Sequence, residues 1–261
     1  MNPEELVALM IPLTWLAMLV VERFRPARQW PALRLWRTQG LAFFAMLMAI
    51  NALLPSLLAA ESFGGHVFDG ARLGVAGGAI AGFLAVSLVN ALLHRAYHRY
   101  GLLWRWVHQL HHAPVRVDVP GAVVFSPLEI ALNVIAFQAV TVFVLGLDPL
   151  AAALAGYLAA FYGMFQHFNV RTPRWLGWII QRPESHCVHH RRGFHAWNYA
   201  DFPLWDVLAG MFRNPREFRG DVGFDPRASQ SLLATLGGRD ANAALYGPEN
   251  RGSADPSANP A

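Results

Sequence analysis

Five long apolar blocks, separated by segments rich in Arg, His and Gly, leave this chain few folds to choose from. They run from about Leu6 to Val21, Leu41 to Ala60, Gly74 to Leu93, Leu128 to Leu147 and Leu150 to Phe165. An α-helix needs about 20 predominantly apolar residues to cross a bilayer, and the blocks are close to that length. The chain is 54% hydrophobic and only 15% charged, against roughly 25% charged in soluble domains. The fold expected is therefore all-α, an integral membrane helical bundle of about four to five spans. The first block follows an acidic start, Met1 to Glu5, with no basic n-region, so it reads as a retained span rather than a cleaved signal peptide. The third block is rich in Ala and Gly, which lets helices approach closely in lipid. Sequence leaves open whether the last two blocks cross fully or form a hairpin about Asp148-Pro149. Either returns the chain to the same side.

Orientation comes from the basic residues. There is no Lys, and all 21 are Arg. With five crossings, one side carries segments 22–40, 94–127 and 166–261. These hold twenty of the Arg, and only Arg72 falls opposite. The positive-inside rule makes the Arg-rich side cytoplasmic. The expected location is a bacterial inner membrane with the C-terminus inside. These Arg abut spans, so they suit anionic lipid headgroups better than nucleic acid, for which no signature is present. Three regions are expected: 1–73, N-terminal spans and connector; 74–213, a catalytic unit; and 214–261, a polar tail. The tail holds one short helical candidate, Gln230 to Leu236, and reads as disordered from Gly247 onward.

The chemistry sits in the histidines. Of eleven, eight fall in three clusters: His94-x3-His98, His108-x2-His111-His112 and His186-x2-His189-His190. Positions i, i+3 and i+4 share a helix face, so each H-x-x-H-H presents three imidazoles to one side. With His167 at the end of the fifth block there are nine candidate metal ligands, too many for one ion and enough for two. All nine lie on the Arg-rich side, and His66 lies opposite. Cys187, the single cysteine, rules out an internal disulfide and would point off the ligand face. Imidazole suits Fe, Zn, Cu and Ni. A buried two-metal site beside lipid fits redox chemistry, because iron with O₂ attacks C–H bonds that side-chain acids and bases cannot. Neutral rings leave the ions' charge uncompensated, so carboxylates should bond the outer ring N–H groups. The candidates are Glu129, Glu184, Asp118, Asp201 and Asp206. His195 is expected beside the ligands or at the surface. Arg191 and Arg192 are candidates for a lipid phosphate or carboxylate. Trp104, Trp106, Trp175, Trp178, Trp197 and Trp205 read as an interfacial belt, with one or two free to line a substrate channel.

The order H-x3-H, H-x2-H-H, a lone His after further spans, then H-x2-H-H resembles the fatty acid hydroxylase superfamily. That group includes sterol desaturases, C4-methylsterol oxidases, fatty acid and sphingolipid hydroxylases and alkylglycerol monooxygenase. His167-Phe168-Asn169-Val170, Asn198-Tyr199, Trp205-Asp206 and Gly210 extend the likeness over about residues 78–213. Many members read Arg-x-His-Pro-x-Glu before the fourth span. Here Pro127 and Glu129 match, and the Arg and His are absent. The resemblance implies a membrane di-iron oxidoreductase using O₂, with the nine histidines as ligands of two iron ions, which zinc can replace in purified protein. It implies hydroxylation of an alkyl carbon of a membrane lipid (fatty acyl, sterol-like or ether lipid), with desaturation the nearest alternative. Electrons would come from a separate ferredoxin, cytochrome or reductase. A non-catalytic metal-handling protein is the distant alternative, because a transporter would place its ligands near mid-membrane.

Overall fold

The computed structural model describes residues 1–57, 65–194, 196–224 and 232–241. Helix α1, Pro3–Phe24, starts from a capping box in which the Asn2 side chain accepts from Glu5 N–H and Glu5 returns to Asn2 N–H. This satisfies two otherwise orphan donors. Helix α2 is Trp36–Leu57. Helix α3, Gly74–Arg99, follows a 3₁₀ turn at Gly70–Leu73 and carries His94 and His98 on its last turns. The expected polar segment beginning at His94 is thus still helix for six residues. Irregular helix α4 comprises the successive turns Gly101–Leu103, Trp104–His108 and Gln109–His112, the middle one π-helical. Helix α5 runs from Pro127 to Val144, with its last six residues π-helical. Helix α6 is Pro149–Phe165. Both α5 and α6 begin in the same way, with a side-chain cap (Ser126, Asp148) followed by Pro at the first helical position. Pro is favoured there because its missing N–H is one of the orphans anyway. Three short helices follow: α7, Pro183–His189; α8, Pro203–Leu208; and α9, Leu232–Leu236. No β-strand is present among the described residues, only an isolated bridge between Arg191 and Val222.

Four helices are long and apolar enough to cross a membrane, and α6 is a shorter apolar helix. Their outer faces remain bare: Leu13 is 64% exposed and Leu53 66%. Such surfaces would carry a hydrophobic penalty in water and none in lipid. The helices are those of an integral membrane protein. Inside, α3 and α6 make the tightest contact. A Cβ on Gly78 would lie 2.9 Å from Ala151 Cβ, and one on Gly82 would lie 3.0 Å from Ala155 Cβ. Two small-x-x-x-small rows therefore meet face to face, which answers the expectation from the third block.

The ends of the bundle differ. At one, Val67, Phe68 and Gly70 donate to the carbonyls of Phe143, Val144 and Leu145, so the tip of the α5–α6 hairpin meets the chain entering α3. His66 is at this end, close to Gly146. At the other end, the three Arg-bearing segments knit into one cap. Ala27 donates to Asn169, Arg28 to the carbonyls of Phe218 and Gly220, and Arg116 to Pro31. Glu22 accepts from both Val119 and Asn169 N–H.

The start of the polar tail is built into this cap, contrary to its composition. Phe218, Val222 and Phe224 are buried. Gly223 donates to the His190 carbonyl, Phe224 to that of Ala113, and Arg192 N–H to that of Asp221. These bonds strap the ends of both H-x-x-H-H segments. Gly223 has φ +74, and a Cβ there would sit 2.0 Å from Pro114 O, so only glycine fits. The short helical candidate is seen as Leu232–Leu236. The stretch from Gly247 onward lies outside the described residues.

Candidate metal centre

The cap gathers all nine predicted histidines into two adjacent groups. One holds His94, His98, His108, His112 and His189; the other holds His111, His167, His186 and His190. Within each group the ligand atoms all lie within 4.8 Å of one another. Each H-x-x-H-H is divided between the groups. Its i and i+4 rings enter one and its i+3 ring the other, and the two motifs do so in opposite senses. His108 and His112 join His189, whereas His186 and His190 join His111. The groups touch where the His112 and His190 rings stack at 4.1 Å.

The Nε2 atoms converge. His94–His98 is 3.3 Å, His108–His112 3.2 Å and His112–His189 3.1 Å. In the second group His111–His167 is 3.2 Å, His167–His186 2.9 Å and His186–His190 3.0 Å. Nitrogens about 2.0–2.1 Å from one ion are separated by about 2.9 Å at right angles and about 3.3 Å at the tetrahedral angle. The observed spacings match donors that share a cation.

Tautomers argue the same way. His94 Nδ1 lies 2.7 Å from Tyr199 O and His189 Nδ1 2.8 Å from Trp197 O. A carbonyl only accepts, so these Nδ1 atoms carry the proton and both Nε2 atoms are lone-pair donors. His108 Nδ1 meets Glu129 Oε1 at 2.6 Å. Burial, followed by neighbouring imidazoles, holds His111, His112, His186 and His190 well below the usual histidine pKa. His167 falls to about 3 by the same causes. Each neutral ring keeps one proton, and wherever that proton sits on Nδ1 the converging Nε2 lone pairs repel unless a cation lies among them. The donor set therefore fits two nitrogen-liganded metal ions, and imidazole admits iron or zinc equally.

Of the carboxylates proposed for the outer ring nitrogens, only Glu129 bonds a ligand ring among the described residues. Its Oε2 is buried without a protein partner. Glu184 instead accepts from Thr172 N–H and Oγ1 and pairs with the buried Arg182. It lies two residues before His186, which turns it to another side of α7. Asp118 is taken by Arg116, Trp36 Nε1 and Gly121 N–H. Asp201 accepts from Gln166, and burial raises its carboxyl to about 6. Asp206 acts one step removed: it accepts the N–H groups of Tyr199 and Ala200 and so fixes the peptide whose carbonyl meets His94. Burial raises it to about 7. Two backbone carbonyls occupy the places expected for carboxylates. His195 lies outside the described residues.

Arg191 and Arg192 do not border the large cavity described below; Arg192 pairs with Asp221 at 3.1 Å. The Cys187 thiol is packed with Val117, Val188, Trp197 and Phe218, and burial pushes it up to about 12. Trp106, Trp175 and Trp178 are exposed, whereas Trp104 and Trp197 are buried; no Trp lines the cavity.

Sequence reading did not anticipate the bend Trp197-Asn198. Both residues have left-handed backbone (φ 64 and 49), which costs a non-glycine residue about 1–2 kcal/mol. Asn198 is fully buried and holds the bend. Its Nδ2 donates to Ser185 O, its Oδ1 accepts from Arg213 N–H, its N–H donates to Met211 O, and its carbonyl accepts from Gln181. The bend aims the carbonyls of Trp197 and Tyr199 at His189 and His94. Its only sequence signal was Asn, the non-glycine residue that best tolerates this conformation.

Five of the ligand candidates, His94, His108, His111, His167 and His186, border one cavity of about 570 Å³ that runs down between α1, α2, α3, α5 and α6. No solved structure matches the chain. Residues 79–211 match the family described as Fatty acid hydroxylase. That span contains every histidine of both groups, and by it the chain belongs to the fatty acid hydroxylase family.

Proposed function

We propose that this protein hydroxylates an alkyl carbon of a membrane lipid, using O₂ and two iron ions held by the two histidine groups. One observation carries the reading: two sets of imidazoles, with Nε2 separations suited to a shared cation, lie where an apolar cavity inside a membrane bundle ends, and five of the nine rings border it. Family members are in general oxidoreductases, which supports redox chemistry over transport. His94, His98, His108, His112 and His189 would hold one ion, and His111, His167, His186 and His190 the other. When bound, iron supplies the reactivity with O₂ that an unactivated C–H bond requires. Net hydroxylation breaks C–H and forms C–OH; two electrons and two protons convert the second oxygen atom to water. A separate ferredoxin, cytochrome or reductase supplies the electrons.

The chain's own residues do the rest. Tyr199, Trp197 and Glu129 keep protons on the outer nitrogens of three rings, leaving Nε2 free. Glu129 and Asp201 are the two carboxyls on the cavity wall, placed to hold protons beside it. The apolar lining keeps water out. Desaturation is the second reading, favoured by the same site, because loss of a second hydrogen needs no further residue. A cytoplasmic cap is supported by the positive-inside rule, since the three Arg-bearing segments meet there. A reporter fused after Ala261 should be cytoplasmic; a periplasmic reporter reverses the orientation.

The deciding experiment compares membrane lipids from cells expressing wild type or His189→Ala together with a reductase system, alongside metal analysis of the purified protein. A lipid gaining 16 mass units supports hydroxylation and one losing two supports desaturation. Unchanged lipids in cells whose metal content shifts would replace the enzyme reading with metal handling.

A further inference from the structure

The cavity is polar at one end in a way that bears on where a substrate is oxidised, granted the oxygenase reading above. From the histidines it descends along α6 as far as Ala153 and along α1 to Val7. Ala153 to Phe165 spans about 18 Å at about 1.5 Å per residue, more than half of a hydrocarbon layer about 30 Å thick. The deep walls are apolar, and the polar groups there are already satisfied. Asn51 Nδ2 donates to Leu47 O at 2.9 Å, and the Tyr157 and Thr14 hydroxyls bond each other at 3.2 Å.

The metal-proximal end differs. Asn90 precedes His94 by one turn of α3, and Asn133 follows Glu129 by one turn of α5; both border the cavity. The Tyr97 hydroxyl donates to Asn133 Oδ1 at 3.3 Å, which leaves the Asn133 Nδ2 donors to the cavity. Neither Asn133 Nδ2 nor the Asn90 carboxamide has a protein partner among the described residues. Both are partly exposed along the cavity, so they present their carboxamides to whatever occupies it.

We infer that the substrate is an elongated lipid whose tail lies in the cavity, with an oxygen substituent held by Asn90 and Asn133. Its reacting carbon then lies within about 6 Å of that oxygen, one helical turn. Oxidation falls beside the polar end of the molecule, not at the methyl terminus. The step is the hydroxylation written above, with the same external electron donor.

Fragmentation mass spectrometry of the oxygenated lipid locates the new hydroxyl. A position within a few carbons of an existing oxygen is expected; mid-chain or terminal oxidation overturns the inference and leaves the oxygenase reading standing. Ala153→Phe should shift the product pool to shorter chains, and an unchanged chain-length distribution counts against a tail in the cavity. A binding test needs no turnover. Zinc-loaded protein should prefer hexadecanol to hexadecane by about tenfold, and Asn90→Leu with Asn133→Leu should abolish the preference while metal content stays the same. Equal binding of alcohol and alkane by the wild type removes the carboxamides' role. If no lipid is oxygenated by fully metal-loaded wild type, the oxygenase reading falls and this inference with it.

Discussion

Two side chains away from the metal ligands carry much of the site's geometry. Glu129 is a carboxylate bonded to a ligand ring, and it sets both the proton and the orientation of His108. Partners of this kind are typically worth 10–100-fold in metal affinity. Glu129→Leu should lose metal by about that factor, measured as metal per protein after dialysis against a chelator. Glu129→Gln keeps an acceptor for His108 Nδ1 and should lose less. Equal retention in both variants would mean that neither charge nor hydrogen bond matters there. Asn198 holds a bend that its own backbone resists. Asn198→Ala strands the Arg213 N–H and the Ser185 carbonyl, each unmet group costing about 1–3 kcal/mol, and keeps the unfavourable φ. A stability loss of about 2–4 kcal/mol is expected, seen as a lower melting temperature in detergent. Asn198→Gly relieves the backbone and should lose less than Ala.

Elements position these residues through packing that sequence records only in part. The i, i+3, i+4 spacing placed three rings of each H-x-x-H-H on one face, as the structure shows. It carried no sign that the face would be divided between two groups. That division depends on α4 and α7 meeting in opposite senses, which is a property of the pair. The strap at 221–224 was hidden for a related reason: its segment is rich in Gly, Asp and Arg, and its burial comes from three aromatic or branched residues spaced along it. Gly223→Val drives a side chain into Pro114 and should unfasten the strap, so metal content falls while the membrane bundle stays folded. Intact metal binding in that variant would show the strap to be dispensable. In the bundle, Gly82→Leu should lower thermal stability by separating α3 from α6. Ile80→Leu, on the lipid-facing side at 60% exposure, should change it by less than about 0.5 kcal/mol.

At the scale of the whole molecule, burial of uncharged imidazoles makes stability depend on pH. His111, His112, His167, His186 and His190 all titrate below their ordinary value when folded. Below about pH 6.5 the unfolded chain binds their protons and the folded chain does not, so stability falls as pH falls. Asp118, Asp201 and Asp206, all raised by burial and the last two to about 6 and about 7, have the opposite sign: their contribution is lost as pH rises from about 4 towards their folded values. Five groups outweigh three between pH 7 and 5. Metal-stripped protein should therefore melt at progressively lower temperature as pH drops through that range. A flat or rising melting temperature would mean the rings are not held neutral.

The sequence by itself determined the helical class, the apolar spans and which nine histidines gather at one end of the bundle. Hydrophobic length, charge asymmetry and helical spacing are local properties, and each is written in contiguous residues. Only the tertiary structure decided how the rings divide into two groups, which carboxylate reaches one ring, and that carbonyls from a strained bend meet two more. It also decided that a cavity leads from the metals into the bundle. These features depend on contacts between segments a hundred or more residues apart, such as His94 with Tyr199, and no local pattern specifies which distant partner a buried polar group will find.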